Sequence, residues 1–405
     1  MSEYQIIAVI AGIAFLYSLV ASRLERTPVS GALVYIVCGL ICGPSLLGIF
    51  VPNIGAESIK TLAELTLAVV LFSDSANANL AVLRRVERLP IRLLLVGLPL
   101  TIALGFGVAY LMFDGMSLIA LALLATMLAP TDAALGKAVV TNENVPSSVR
   151  QGLNVESGLN DGICVPVILI FLELISPTSA SGGTLEMVVE FPLKAIGIGA
   201  IVGTVVATIG GPALRICAER RWVSGSWIQV PVVAAALLCF GTAQWLGGSG
   251  FIAAFVGGLI FGGLTHEHKE EVLNGAEGTG DTLSLITWFS FGAVAVGPQI
   301  VSASWQPIAY ALLSLTVIRI VPVWLCVAGM KLKPDTKLFL GWFGPRGLAS
   351  IVFVVMVAAT KIPETETLLA TVTWTIILSV VLHGVSANPL AMAYGKRVAA
   401  RDGSI

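Results

Sequence analysis

Apolar residues along this chain fall in blocks of roughly 17–25, the length at which a helix crosses a hydrocarbon core, and short polar clusters separate the blocks. The pattern predicts about thirteen helical spans, with cores near 4–22, 29–50, 60–79, 92–113, 117–138, 148–175, 190–214, 228–246, 249–264, 283–300, 306–329, 337–359 and 367–394. Basic residues test that count, because they collect in cytoplasmic loops. They recur in every second loop: Arg23 and Arg26; Arg84, Arg85, Arg88 and Arg92; Lys137 and Arg150; Arg215, Arg220 and Arg221; Lys269; Lys331, Lys333 and Lys337; Lys396, Arg397 and Arg401. The intervening loops hold little beyond Lys60, Lys194 and Lys361. An odd span count then puts the N-terminus outside and the C-terminus in the cytoplasm of a cell-membrane protein. The first block opens at Met1 without a basic n-region or a small-residue cleavage site, so it reads as a retained helix.

Composition agrees. Of 405 residues, 56% are hydrophobic and 12% charged, about half the charged fraction of a soluble domain, and the mean hydropathy is +0.93. The 42 glycines suit helices that approach closely or break. The fold class is an all-α polytopic membrane protein. The six cysteines (38, 42, 164, 217, 239, 326) form no CxxC pair and read as packing residues. No G-x-x-x-x-G-K-[ST] loop is present, so an ATP-driven pump is not expected, nor is any enzyme, cofactor or nucleic-acid partner.

Two spans carry breaks. The fifth reads "LALLATMLAPTDAALGKAVV", where Pro130 removes a backbone donor and Thr131 and Asp132 follow at once. The twelfth reads "LFLGWFGPRGLASIVFVVMV", interrupted by Gly344, Pro345, Arg346 and Gly347. Span 12 is fifth in a second set of six counted from span 8. Spans 1 and 8 enter from opposite sides, so spans 1–6 and 8–13 form two inverted-topology six-helix repeats, with span 7 as connector. Paired interruptions at corresponding positions point to a transporter's site.

The sixth span opens with "VESGLNDGICVPV". Asp161 lies roughly 20 Å along it, and Ser157, Asn160 and Asp161 share one face by i, i+3 and i+4 spacing. Glu156 is at the edge of that face, and Asp132 is its natural neighbour on span 5. A carboxylate at this depth is held cheaply in two states, protonated or ionised beside a cation. Proton and cation then compete for the same oxygens. Hydroxyl, amide, carbonyl and carboxylate oxygens suit a hard monovalent cation such as Na⁺ or Li⁺. Arg319 in span 11 needs a partner, with Glu156 the first choice, and Arg346 is suited to carbonyls freed by the break. Asp74 in span 3 either reaches the cation site or sits near a watery end of its span. Glu64 and Glu173 read as solvated or as an entry funnel, His383 as a packing and capping residue, and "HEHKEE" (266–271) as a solvated connector.

"APTDAA" (129–134), "ESGLNDG" (156–162), Arg319 and "GPRG" (344–347), in this order and on these spans, resemble a monovalent cation:proton antiporter of the NhaP and sodium/proton exchanger branch. The resemblance implies a homodimer of thirteen-helix protomers with crossed discontinuous helices 5 and 12. It implies a core bundle near 92–175 and 306–394, a dimerisation part near 1–80 and 228–300, and a connector near 190–214. The core would move as an elevator. Asp161 corresponds to the family's ion- and proton-carrying residue, Asn160 to the neutral neighbour that makes exchange electroneutral, and Thr131, Asp132 and Ser157 to its ion site. Glu156 and Arg319 correspond to its buried pair, and acidic residues on span 3 raise Asp74. The long regulatory tail of animal exchangers has no counterpart, so calmodulin-type regulation is not expected. Na⁺/H⁺ exchange serving pH homeostasis is the leading expectation, K⁺/H⁺ exchange its alternative. A sodium-coupled organic-anion symporter is a more distant rival. A channel is disfavoured, because channels build an open filter on a symmetry axis.

Overall fold

The computed structural model describes residues 3–24, 27, 29–50, 56–77, 89–132, 135–175, 185–223, 227, 229–265, 269–360 and 362–402. The loop arginines Arg84, Arg85 and Arg88 and residues 266–268 of the histidine-containing run lie outside them. Among the described residues the regular structure is all helix, with no strand. Six of these helices are long and apolar enough to cross a membrane: Leu89–Met112, Ser147–Ile175, Pro192–Glu219, Gly275–Val301, Trp305–Cys326 and Thr365–Arg401. Shorter apolar helices occupy the blocks near 4–22, 29–50, 117–138, 228–246, 249–264 and 337–359, and the helix Ala56–Asn77 covers most of the block near 60–79.

The main helices are α1 (Glu3–Ser18), α2 (Gly31–Cys42), α3 (Ala56–Asn77), α4 (Leu98–Met112), α5 (Leu118–Met127), α6 (Ser147–Ile175), α7 (Leu185–Glu219), α8 (Val230–Trp245) and α9 (Gly250–Leu264). They continue with α10 (Lys269–Phe291), α11 (Trp305–Leu315), α12 (Val317–Cys326), α13 (Pro334–Trp342), α14 (Leu348–Thr360) and α15 (Thr365–Asp402). Serines start three of them: Ser30, Ser117 and Ser249 each accept a backbone N–H from three residues on, satisfying a donor that the first turn would otherwise leave bare.

The chain divides into two compact units. The first comprises Met1–Lys60, Glu87–Ser157 and Leu285–Ile405. In it α11 packs on α15, α4 on α5, α12 on α13, and α14 on α15. An apolar cluster in it joins Val149 and Leu153 of α6 to Val323, Phe339, Leu340, Phe343, Ala387 and Tyr394, with the Phe339 and Tyr394 rings stacked at 4.3 Å. The second comprises Thr61–Val86 and Gly158–Ser284. There α7 and α8 pack on α9, and Gly258 and Gly262 of α9 lie against the backbone of Phe72 and Ala76 in α3. Such contacts between small residues are how membrane helices gain close packing where no hydrophobic drive exists between them.

Two block readings change in detail. Span 11 is divided at Thr316 (φ −116, ψ −93), where the α11 pattern stops and Ile320 N–H restarts it on the Thr316 carbonyl at 2.7 Å. The last helix runs past its apolar block to Asp402. Its polar end is held down by Arg401 on Asp335 at 2.7 Å and by the Tyr394 and Thr336 hydroxyls at 3.0 Å.

Candidate functional site

The two interrupted segments meet in the first unit. α5 stops at Met127, because Pro130 has no N–H to continue the ladder and disfavours helical backbone before it. α13 stops at Trp342, and α14 begins at Leu348. Each segment then satisfies groups the other has lost. Asp132 N–H donates to the Pro345 carbonyl at 2.8 Å, and Leu348 N–H donates to Asp132 Oδ2 at 2.9 Å. Leu135 N–H reaches Asp132 Oδ1 at 3.1 Å, and the Ser350 hydroxyl donates to the Met127 carbonyl at 2.9 Å. The carboxylate therefore caps the N-terminus of α14.

Arg346 does the converse. Its Nε donates to the Leu128 carbonyl at 2.6 Å, and the guanidinium also reaches the carbonyls of Gly344 and, at 3.4 Å, Ser314. An anion at a helix N-terminus and a cation at the carbonyl end of another are the two favourable pairings with the helix dipole. The fit is close: a Cβ on Gly347 would overlap Asp132 Oδ2.

Two bonds attach α6 to this crossing. Thr131 and Ser157 share a hydroxyl–hydroxyl bond of 2.9 Å. Arg319 of α12 meets Glu156 through both oxygens, Nη1–Oε1 at 2.6 Å and Nη2–Oε2 at 2.8 Å. Two parallel charge-assisted bonds give this pair a fixed orientation as well as energy.

In the second unit α6 continues with Asn160 and Asp161, 1% and 8% exposed. Asp161 follows Ser157 by one helical turn, and Gly158 precedes Asp161 by three residues. A Cβ on Gly158 would stand 3.3 Å from the Asp74 carbonyl, so α3 comes against α6 within a turn of Asp161. Pro166 lies inside α6, and its missing N–H deprives the Gly162 carbonyl of its usual intrahelical donor. That oxygen belongs to the residue after Asp161.

Several partners were not foreseen from the residues. Ser379 Oγ accepts the Arg346 backbone N–H at 2.7 Å, and Pro166 interrupts the hydrogen-bond ladder of α6. Their signals are slight: a serine four residues before His383, and a proline five after Asp161. Glu64 and Glu173 are half-buried. His383 is buried and stands 2.9 Å from the Trp342 carbonyl through Nε2.

Comparisons with known proteins agree with these features. The K⁺/H⁺ antiporter NhaP2 of Shewanella sp. (strain ANA-3) is 24% identical over 396 residues, covering 96% of this chain and 66% of that protein. A probable Na⁺/H⁺ antiporter of Schizosaccharomyces pombe is 23% identical over 428 residues, covering 96% of this chain and 56% of its own length. The chain thus spans just under two thirds of the first of these relatives and less of the second. Among solved structures, the sodium proton antiporter MjNhaP1 from Methanocaldococcus jannaschii at pH 8 superposes with a TM-score of 0.79 at 20% identity, covering 95% of this chain and 100% of that one. It shares the fold. Residues 8–393 match the family described as "Sodium/hydrogen exchanger, transmembrane", the branch to which the four motifs pointed, and this multi-pass membrane protein belongs to that family.

Proposed function

We propose that the chain exchanges a monovalent cation for a proton across the membrane, both competing for the Asp161 carboxylate. The observation that carries this reading is the Thr131–Ser157 bond. It joins an interrupted helix to the helix on which buried Asp161 follows one turn later. Oxygens of Thr131 and Ser157, the Asn160 amide and the Asp161 carboxylate supply a hard-cation ligand set, and the Gly162 carbonyl adds a further acceptor. Asp132 and Asp74 are the further acidic candidates for the ion: Asp132 follows Thr131 and its carboxylate caps α14, and Asp74 of α3 stands against Gly158 of α6. Glu156 with Arg319, and Arg346 with its carbonyls, hold the frame.

Asp161 binds either one cation or one proton, so each cycle returns one charge for one charge. With Asn160 neutral, exchange is electroneutral and needs no cofactor. Thirteen spans in two inverted repeats, an outside N-terminus and cytoplasmic C-terminus in the cell membrane, and a homodimer complete the reading. In it, a core of about 92–175 and 306–394 travels as an elevator against a dimerisation part of about 1–80 and 228–300, linked by 190–214.

Na⁺ or Li⁺ is the cargo we favour on ligand chemistry. K⁺ is the second reading, favoured by relatives named K⁺/H⁺ antiporters; other relatives are named Na⁺/H⁺ antiporters.

Reconstitution in vesicles with an internal pH dye, voltage clamped by an ionophore, tests both. A Na⁺-driven pH change that is lost in Asp161→Asn supports the reading. A response to K⁺ alone moves the cargo to K⁺. No proton movement with either cation sinks antiport and makes an organic-anion symporter the next reading to test.

A further inference from the structure

The crossing is held from a third side by α15. Ser379, His383 and Ser386 fall on one face of that helix by i, i+4 and i+7 spacing, and all three meet the break between α13 and α14 or its flank. The Arg346 backbone N–H donates to Ser379 Oγ at 2.7 Å. His383 Nε2 stands 2.9 Å from the Trp342 carbonyl. The Trp342 indole N–H donates to Ser386 Oγ at 2.9 Å, and the Trp342 and His383 rings lie 5.2 Å apart.

These are the groups a broken helix most needs to satisfy. A helix that stops at Trp342 leaves its last carbonyls short of donors, and the extended residues after it carry N–H groups without intrahelical acceptors. Membrane depth offers no bulk water to replace them. A carbonyl only accepts, so a proton on the His383 nitrogen that faces Trp342 makes Nε2–H the donor to that carbonyl. Its Nδ1 faces the Ser379 hydroxyl at 3.4 Å and the Ser379 carbonyl at 3.0 Å. The C-terminal lip of α13 and the middle of the break are thus fastened to two residues one turn apart on a single helix.

We infer that Ser379 and His383 are positioning residues for cation exchange: a two-point staple that holds the Trp342–Arg346 break against α15 and so sets the place of Arg346 and Asp132. The inference rests on the antiport reading above. Neither residue takes part in the proposed cation ligand set. The path is short. Ser379 fixes the Arg346 backbone, and the guanidinium of Arg346 holds the Leu128 carbonyl at the end of α5. The adjoining Pro345 carbonyl accepts from Asp132 N–H, and Thr131 beside it bonds Ser157. A break released from α15 would shift the Thr131 hydroxyl without removing any proposed cation ligand. The cost therefore falls on cation affinity, not on the maximal rate.

The test measures two things on the full chain. Cation-driven proton exchange in vesicles gives KM and the saturated rate, and hydrogen exchange of backbone amides 342–348 in nanodiscs reports the break itself. In Ser379→Ala, KM for the transported cation rises roughly tenfold, as loss of one buried bond implies. The saturated rate stays within about twofold of wild type, and the 342–348 amides exchange faster. Ser379→Thr, which keeps a hydroxyl, restores both. His383→Leu behaves as Ser379→Ala, while His383→Gln, which keeps a donor, falls between it and wild type. If one alanine or leucine variant fails to fold, the other decides. An unchanged KM in a folded variant overturns the staple, as does a fall in yield with wild-type KM in the folded fraction. If wild type itself moves no protons with any cation, the antiport reading fails separately. The amide exchange then decides the staple alone, and unaltered exchange overturns it.

Discussion

Arg319 and Glu156 lie 163 residues apart in the chain and face each other through two bonds of 2.6 and 2.8 Å, with 1% and 2% of their side chains exposed. A pair this deep has given up its hydration, and removing one partner strands the other charge at a cost of about 3–5 kcal/mol. Glu156→Gln and Arg319→Gln are therefore each expected to lower the thermal unfolding midpoint in detergent markedly. The double variant strands no charge and recovers part of the loss. A loss in the double variant equal to the sum of the two single losses would show that the pair does not act as a unit.

Gly347 stands where Asp132 Oδ2 leaves no room for a Cβ. Gly347→Ala must push the carboxylate off the Leu348 N–H, costing the cap and its interaction with the α14 dipole, about 1–3 kcal/mol together. Gly107→Ala is the control, because nothing lies within 4 Å of its Cβ position in α4, and alanine there is neutral or favourable by up to about 1 kcal/mol. The unfolding midpoint should fall in Gly347→Ala and hold or rise in Gly107→Ala. Equal behaviour would sink the steric account of "GPRG".

Much of this architecture is legible because a bilayer imposes length. Blocks long enough to cross it are visible in any window, and the interruptions at Pro130 and Gly344–Gly347 are visible as departures from them. The frame around the breaks is less so. Arg346 finds the carbonyl of Leu128, 218 residues away, and every residue carries a carbonyl, so nothing marks that one as the acceptor. Ser379 is one serine in an apolar run, identified only by the N–H it receives. The division at Thr316 has no glycine at the point where it falls, and the far end of α15 meets Asp335, 66 residues earlier in the chain, through Arg401. Residue types that are costly in lipid were readable as chemistry. Partners drawn from the backbone were not.

The Arg401–Asp335 pair is the exposed counterpart of the buried one. Its N–O distance is 2.7 Å, but the arginine side chain is 39% exposed. Solvent and salt screen it, so Arg401→Ala is expected to change stability by no more than about 1 kcal/mol. That small loss should shrink further as salt is raised. Differential scanning fluorimetry at two ionic strengths measures it. A loss as large as that of Arg319→Gln would mean that the end of α15 carries a structural load its exposure does not suggest.

Competition at Asp161 has a definite sign with pH. A carboxylate that holds a proton cannot ligate a cation, so proton occupancy grows as pH falls and the cation required for half-maximal exchange grows with it. Below the carboxylate's titration point each further pH unit raises the apparent KM about tenfold, and above that point the apparent KM is flat. The rate at saturating cation is untouched by the competition itself. Asp161→Asn loses exchange at every pH. Asp132→Asn gives the sharper comparison: the Asp132 carboxylate already receives the N–H groups of Leu135 and Leu348, so the variant is expected to be less stable, to exchange more weakly, and to keep the wild-type slope of KM against pH. A slope abolished by Asp132→Asn and retained in any residual activity of Asp161→Asn would move the proton-carrying role from α6 to the crossing.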